Sequence, residues 1–226
     1  MFIEMRTYAL RPGMIAAFEE RFVEGLTARL QFSRLGGLWR AEVGDLNQVV
    51  HIWPYESFEE RERIAQAARK TGKWPPKVHE FILTQESKIV QLAPFSPHLE
   101  ERKLGNLYEF RTYTYRPGTM PMVLECFGEV MAARTKISPL VMAGHTVIGP
   151  LNQYIHVWAY KDSEERDRLR AEASKTTGSG TGPAGGVAVK TAFGGTGSSA
   201  RPWPKMVTTP LPRAAKGSSR RKAAAP

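Results

Sequence analysis

The sequence predicts an α+β protein that contains two tandem ferredoxin-like βαββαβ units and ends in a disordered tail. Three observations lead to this prediction. The first half of the chain recurs in the second half at a constant offset. Each half alternates strand-like and helix-like hydrophobic periodicity in the same order. The final 49 residues combine many glycines and prolines with no acidic residue, which is typical of a disordered segment.

The internal repeat is the strongest of these observations. A shift of 105 residues aligns the segment FIEMRTYALRPG with LYEFRTYTYRPG. Between residues 4–55 and 109–160, 21 of 52 positions are identical without a gap. Similarity at a fixed period indicates a duplicated structural unit. We therefore assign the first unit to residues 1–98, the second to residues 106–177 and the tail to residues 178–226.

Each unit opens with a predicted strand and helix. Residues 2–10 alternate between two faces, which is typical of a half-buried strand. Arg11-Pro12-Gly13 is a turn signal. Apolar residues then recur every four positions along one face of a predicted amphipathic helix, namely Met14, Phe18, Phe22 and Leu26.

A hairpin, a second helix and a last strand complete the predicted unit. Residues 38–43 and 48–55 are predicted as two strands joined by a tight turn. Ser57 and Glu60 form a capping box, which opens a charged helix that we expect to reach about Lys70. Residues 78–90 are predicted as the fourth strand, which completes the ferredoxin-like order.

The fourth strand of the second unit has no clear counterpart in the sequence. The 105-residue shift maps the fourth strand onto PAGGVAVKTAFGG, residues 183–195, which lacks strand periodicity. Such a composition cannot bury enough apolar surface to order itself, so we predict a disordered basic tail. Two interpretations are open, a natural tail or a terminus altered by a shifted reading frame. A weak replacement strand at residues 187–193 is a further alternative.

The net charge of +10 is concentrated in the tail. Residues 178–226 carry eight basic residues and no acidic one, which leaves 24 basic and 22 acidic residues in the first 177. We therefore expect no nucleic-acid binding by residues 1–177. The apolar runs are too short for a transmembrane helix. The single cysteine, Cys126, excludes an internal disulfide and a multi-cysteine metal site.

Taken together, these motifs resemble those of the NIPSNAP family. The resemblance rests on an ordered set that includes the RTY–RPG start, the LNQ–H–W–Y strand, the KTGKWPP link and the APFSP segment at residues 93–97. It covers residues 2–97 and 107–176. It implies a dimeric α/β-barrel fold, here as a pseudo-dimer of the two units, and an activity that is largely unsettled in the family.

The resemblance also bears on location. Mitochondrial members of the family have transit peptides and have been tied to vesicle traffic and mitophagy. This chain begins MFIEMRTYAL, without an Arg- and Ser-rich leader or the pattern of a secretion signal. We therefore expect a bacterial, cytoplasmic member of the family.

The strand periodicity separates two faces in each unit. The face that we expect to pack against the helices carries Ile3, Met5, Thr7, Val50 and Ile52. The opposite face is then expected to line a space enclosed between the two sheets. It carries Glu4, Arg6, Tyr8, His51, Trp53 and Tyr55, with the counterparts Glu109, Arg111, Tyr113, His156, Trp158 and Tyr160. Aromatic walls with a few convergent polar groups are typical of a small-ligand site, so these are the predicted ligand-binding residues.

The first functional hypothesis is a small-molecule-binding barrel with acid–base chemistry. His51 and His156 are the candidate catalytic residues, because imidazole suits proton transfer near neutral pH. Arg6 or Arg111 would anchor an anionic group. The competing interpretation is structural: an ion pair for Glu4 with Arg6, interface hydrogen bonds for the histidines, and packing between sheets for the aromatic residues.

The second hypothesis is a non-enzymatic scaffold or adaptor linked to membrane or vesicle traffic, which the family's associations and the basic tail favour. No segment resembles a P-loop, a nucleophile elbow or a zinc signature. A third metal ligand beside the two histidines is not evident, so we predict neither a metal nor a cofactor. The predicted partners are an unidentified small molecule and a second copy of the chain, bound through sheet faces or edges.

Overall fold

Except for the last strand of each unit, the elements form where the sequence predicts them. The computed structural model describes residues 1–99, 103–177 and 206–210. The first unit contains strand β1 (Phe2–Leu10), helix α1 (Ile15–Arg29), strands β2 (Gly37–Val43) and β3 (Gln48–Tyr55), helix α2 (Phe58–Lys70) and strand β4 (Ile82–Leu92). The second unit contains β5 (Leu107–Thr114), α3 (Met120–Arg134), β6 (Leu140–Ile148), β7 (Gln153–Tyr160) and α4 (Ser163–Thr177).

Local sequence signals account for the ends of these elements. Ser57 caps α2 by accepting a hydrogen bond from the backbone N–H of Glu60 at 3.1 Å. Asp162 accepts the equivalent bond in the second unit at 2.9 Å. The helix start predicted from Ser57 and Glu60 is thus confirmed. Strand β4 begins four residues later than predicted, because a short 3₁₀ helix at His79–Phe81 precedes it.

An eighth strand, β8 (Met206–Pro210), closes the sheet into a barrel. The cyclic strand order is β1-β3-β2-β8-β5-β7-β6-β4. Strand β8 pairs antiparallel with β2 on one side and with β5 on the other. Strand β8 is therefore the fourth strand of the second unit. Its counterpart in the first unit is β4, which pairs with β1 and β6. The barrel closes within one chain, as expected for a pseudo-dimer.

The structure thus differs from the prediction of a wholly disordered tail. Residues 206–210 read MVTTP, and their β-branched Val207, Thr208 and Thr209 favour a strand. The edges of β2 and β5 offer backbone groups that need partners. Residues 178–205 and 211–226, including the alternative strand at 187–193, lie outside the described residues.

The two faces of the sheet are the reverse of those predicted. The barrel interior is filled by apolar side chains of both units, among them Ile3, Met5, Val50, Ile52, Tyr108, Phe110, Ile155 and Val157. Helix α1 covers the other face, where Phe22 belongs to the same buried cluster as Tyr8 and Trp53. The prediction was wrong because both faces are buried: alternation separates the faces of a strand but does not identify which one the helices cover.

In the part of the chain that the structure describes, no helix combines the length and the apolar composition that a membrane span requires.

Candidate functional site

The predicted site residues lie between the sheet and the helices rather than inside the barrel. Each unit brings its six residues together on two paired strands. The first site consists of Glu4, Arg6 and Tyr8 on β1 with His51, Trp53 and Tyr55 on β3. The second site consists of Glu109, Arg111 and Tyr113 on β5 with His156, Trp158 and Tyr160 on β7. The predicted lining of one enclosed space is therefore wrong, since the structure forms two separate sites on the outer face of the barrel.

A buried carboxylate is the centre of the first site. Glu4 accepts hydrogen bonds from Nε of Arg6 at 2.9 Å, from Nε and Nη2 of Arg61 at 2.9 and 2.8 Å, and from Oγ of Ser87 at 2.9 Å. Burial by itself would raise the pKa of Glu4, but these donors lower it to about 2. The carboxylate therefore stays ionised at neutral pH and ties α2 to β1.

Glu109 holds the same position in the second site with different partners. It is fully buried and accepts hydrogen bonds from Nη2 of Arg166 at 2.6 Å and from Nη1 of Arg170 at 2.8 Å. Burial would raise its pKa, but the arginines lower it. Arg170 corresponds to Ala65 in the first unit. Helix α4 therefore adds a guanidinium group that the first unit lacks, while Arg111, the counterpart of Arg6, also lowers the pKa of Glu109.

A tryptophan fixes the tautomer of each histidine. Nε1 of Trp53 donates to Nδ1 of His51 at 2.7 Å, and Nε1 of Trp158 donates to Nδ1 of His156 at 3.0 Å. An indole nitrogen can only donate, so Nδ1 must be the acceptor in both pairs. In the neutral imidazole the remaining proton consequently lies on Nε2.

The surroundings keep both imidazoles uncharged at neutral pH. Burial is the largest cause that lowers the pKa of His51, to about 3, and the guanidinium groups of Arg6 and Arg29 act in the same direction. Burial and nearby arginines also lower the pKa of His156. Within the described ranges, no hydrogen-bond partner reaches Nε2 of either histidine. Each site therefore contains a buried N–H donor without an acceptor.

An arginine of the first helix completes each site, and it is buried in the first unit and half-buried in the second. Arg29 of α1 is 3% exposed, its Nη2 donates to Oη of Tyr55 at 2.8 Å, and its Cζ lies 4.4 Å from the ring centroid of Trp53. Arg134 of α3 repeats this arrangement. Its Nη1 donates to Oγ of Ser138 at 2.8 Å, and its Cζ lies 4.3 Å from the equivalent tryptophan ring.

The sequence prediction missed the helical arginines. A criterion based on strand faces cannot find them, because they lie on helices. A search for residues that are identical in both units of the repeat would have found them. The identical pairs are Arg29 and Arg134, Ser33 and Ser138, and Arg61 and Arg166.

The side chains around the two imidazoles differ. Tyr115 and Tyr154 in the second unit replace Leu10 and Val49 of the first. The ring centroid of the fully buried Tyr154 lies 5.2 Å from that of His156. Its hydroxyl group finds no hydrogen-bond partner among the described residues. The hydroxyl group of Tyr154 and Nε of Arg166 are therefore polar atoms without a described partner that have no equivalent in the first site.

Two cavities in the structure lie away from both histidines. One, of about 510 Å³, borders Gly105, Lys161 and Leu169 in the second unit. The other, of about 490 Å³, lies between α1 and residues 72–77. The first site instead reaches solvent at Arg6, whose side chain is 36% exposed. The described residues contain no group of three or more His, Cys, Asp or Glu that could hold a metal ion.

Known proteins share the sequence pattern of both units. The model of the NIPSNAP family matches residues 3–97 and 108–179. A protein named NipSnap homolog from Dictyostelium discoideum is 32% identical over 176 residues, which are 76% of this chain and 75% of that protein. Human NipSnap homolog 3A is 29% identical over 176 residues, which are 74% of this chain and 70% of the human protein.

A solved structure of much lower identity shares the fold. The crystal structure of a monooxygenase candidate from Lactobacillus acidophilus NCFM is 9% identical and covers 78% of this chain and 86% of its own, with a TM-score of 0.55. Likeness at this identity concerns the α/β-barrel fold and not the activity. The family assignment rests on the sequence match across both units: the chain belongs to the NIPSNAP family.

Proposed function

We propose that the chain is a small-molecule-binding α/β barrel with one site in each unit, in which a neutral histidine donates a hydrogen bond to an oxygen atom of the bound molecule. The observation that supports this proposal is the buried Nε2 of His51 and of His156, neither of which has a partner among the described residues. A buried donor without an acceptor costs about 1–3 kcal/mol. Such atoms in native proteins almost always have a partner, so we expect an acceptor at each position.

Enzymatic chemistry at these atoms would be electrophilic. A neutral imidazole with its proton on Nε2 polarises a carbonyl oxygen through that hydrogen bond. A general-base role for His51 is less well supported, because the nitrogen that lacks a proton, Nδ1, already accepts from Trp53. We therefore propose His51 and His156 as hydrogen-bond donors to the reacting or bound oxygen, in place of acid–base residues.

The other predicted residues would shape the site. The imidazole of His51 has the rings of Tyr8 and Phe22 as neighbours, each with its centroid 5.1 Å away. A bound molecule would contact these rings with its apolar part. Access would be from the side where Arg6 reaches solvent, and it requires side-chain movement because His51 and His156 are only 1% and 4% exposed.

Mass spectrometry of the full chain tests the proposal. A native spectrum of the purified protein is expected to contain extra mass that a denatured spectrum lacks, and the identity of that mass names the ligand. The double variant His51→Ala, His156→Ala should lose the extra mass, whereas the exposed control His79→Ala should keep it. An empty wild-type protein, or a double variant that retains the full extra mass, would favour the scaffold or adaptor hypothesis.

A further inference from the structure

We propose that both sites bind small carboxylate anions, with Arg29 and Arg134 as the anion-binding residues. This inference rests on the proposed function, and it adds the chemical class of the bound molecule.

Arg29 is a buried cation that lacks a carboxylate partner among the described residues. Its guanidinium group donates to Oγ of Ser33 and to Oη of Tyr55, and its third neighbour is the ring face of Trp53. Burial raises the pKa of Tyr55, so that hydroxyl group stays uncharged at neutral pH. Buried charges in proteins are normally paired with an opposite charge. The first site therefore holds a positive charge that a bound anion would neutralise.

Arg134 occupies the equivalent position in the second unit, where it is half-buried. It donates to Oγ of Ser138 and lies over the ring of Trp158. No ion pair joins Arg134 to a carboxylate in the described part of the chain. The duplicated arginine thus lacks a carboxylate partner among the described residues of both units.

The charge balance of each site is positive. In the first site, Glu4 is the carboxylate that acts on Arg29, and it is already shared by Arg6 and Arg61. Three guanidinium groups therefore face one carboxylate. In the second site, Glu109 is shared by Arg166 and Arg170. An anion would bring each site closer to neutrality.

A carboxylate also fits the geometry of the available donors. Its two coplanar oxygens match the planar fork of a guanidinium group. The Nε2–H of the histidine supplies a further donor beside the same ring, because the ring centroid of Trp53 lies 4.4 Å from Cζ of Arg29 and 6.0 Å from the ring centroid of His51. The aromatic rings around the imidazole would hold the hydrocarbon part of the anion.

Two pairs of probes that differ in charge but hardly in shape test this inference: benzoate with benzamide, and acetate with acetamide. The readout is the NMR signal of the indole N–H of Trp53 and of Trp158, because each indole donates to the histidine of its own site. In the full-length protein, we expect each carboxylate to bind about 10-fold or more tightly than its amide, since charge-assisted hydrogen bonds are stronger than neutral ones.

Variants assign the two sites separately. Arg29→Gln should remove the response of Trp53 to benzoate and leave that of Trp158 intact, and Arg134→Gln should do the reverse. The control Arg40→Gln, at an arginine that pairs with Glu42, should change neither. If a Gln variant does not fold, the corresponding Lys variant keeps the charge and should retain the preference for carboxylate over amide.

Two results would overturn the inference. Equal affinity for amides and carboxylates, or unchanged benzoate binding in both Gln variants, would show that the sites do not select anions while leaving the proposed function in place. If the signal of neither indole changes with a carboxylate at millimolar concentration, the proposal that the sites bind carboxylates is wrong. The native mass measurement then decides the proposed function independently.

Discussion

The two sites share a polar frame but differ in the side chains that touch the imidazole. In each, a buried glutamate is held by two arginines, and a tryptophan donates to the histidine. The positions that changed, Leu10 to Tyr115 and Val49 to Tyr154, belong to the buried clusters around the histidines. The frame is therefore common to both sites, and the variable positions are where the two sites can differ in what they bind.

The frame also accommodates an added arginine. In the first site, the carboxylate accepts from Arg6 of β1 and from Arg61 of α2. In the second site, it accepts from Arg166 and Arg170 of α4, and Arg111, the counterpart of Arg6, also lowers its pKa. This comparison indicates that each site keeps its buried carboxylate compensated by several guanidinium groups.

The largest effect is expected from removing the carboxylate. Glu4→Gln and Glu109→Gln should each destabilise the fold by about 3–5 kcal/mol, because each leaves buried guanidinium groups without their partner. Urea unfolding measures the loss. The control Glu62→Gln breaks an exposed ion pair with Arg69 and should cost less than about 1 kcal/mol. A loss at Glu4 or Glu109 no larger than the control would contradict the common frame.

The next effect is a loss of stability in acid. The pKa of His51 is about 3 in the folded protein and 6.5 in the unfolded chain, so the unfolded chain takes up the proton first as pH falls. Above pH 6.5 the histidines do not reduce the free energy of unfolding. Below pH 6.5 each of them lowers the free energy of unfolding by about 1.4 kcal/mol per pH unit. The pKa of Glu4, about 2 instead of 4.5, adds a separate loss below pH 4.5.

Urea unfolding between pH 7.5 and 4.5 measures this slope. The double variant His51→Gln, His156→Gln should remove most of the slope and leave a remainder from His145, whose pKa burial also lowers. The exposed control His79→Gln should leave the slope unchanged. Each single variant should remove about half of the slope if both histidines are buried and neutral. A single variant that removes the whole slope would show that only one of the two sites has this property.

A smaller effect is expected from the tryptophans. Trp53→Phe and Trp158→Phe delete the donor to Nδ1 and should each cost about 1–3 kcal/mol, because a buried acceptor loses its partner. Thermal unfolding measures the cost. Equal losses of stability would show that the two tryptophans have equivalent roles, whereas a loss in one unit alone would show that their roles differ.

The smallest effect is expected at the residue that distinguishes the sites. Tyr154→Phe removes a hydroxyl group without a described partner, so stability should change by no more than about 0.5 kcal/mol. The matched variant Tyr55→Phe removes an acceptor for the charged Arg29 and should cost about 1.5–3 kcal/mol. If Tyr154→Phe costs as much, its hydroxyl group has a bound partner in the native protein.

The sequence predicts the order of elements, the helix caps and the residues that meet in each site, because strand alternation, capping boxes and the repeat are local signals. It does not predict which sheet face holds those residues, since both faces of β1 and β3 are buried. Strand β8 was missed because its pairing depends on distant edges of β2 and β5. Arg29 and Arg134 were missed because they join the site from helices.

The most direct test of the two proposed sites is the tautomer of His51 and His156. In protein labelled with ¹⁵N-histidine, two-bond ¹H–¹⁵N correlation spectra at pH 7 distinguish a protonated from an unprotonated ring nitrogen, and the single His→Gln variants assign the signals. We expect a neutral imidazole with its proton on Nε2 in both sites. A proton on Nδ1, or a charged imidazolium in either site, would contradict it.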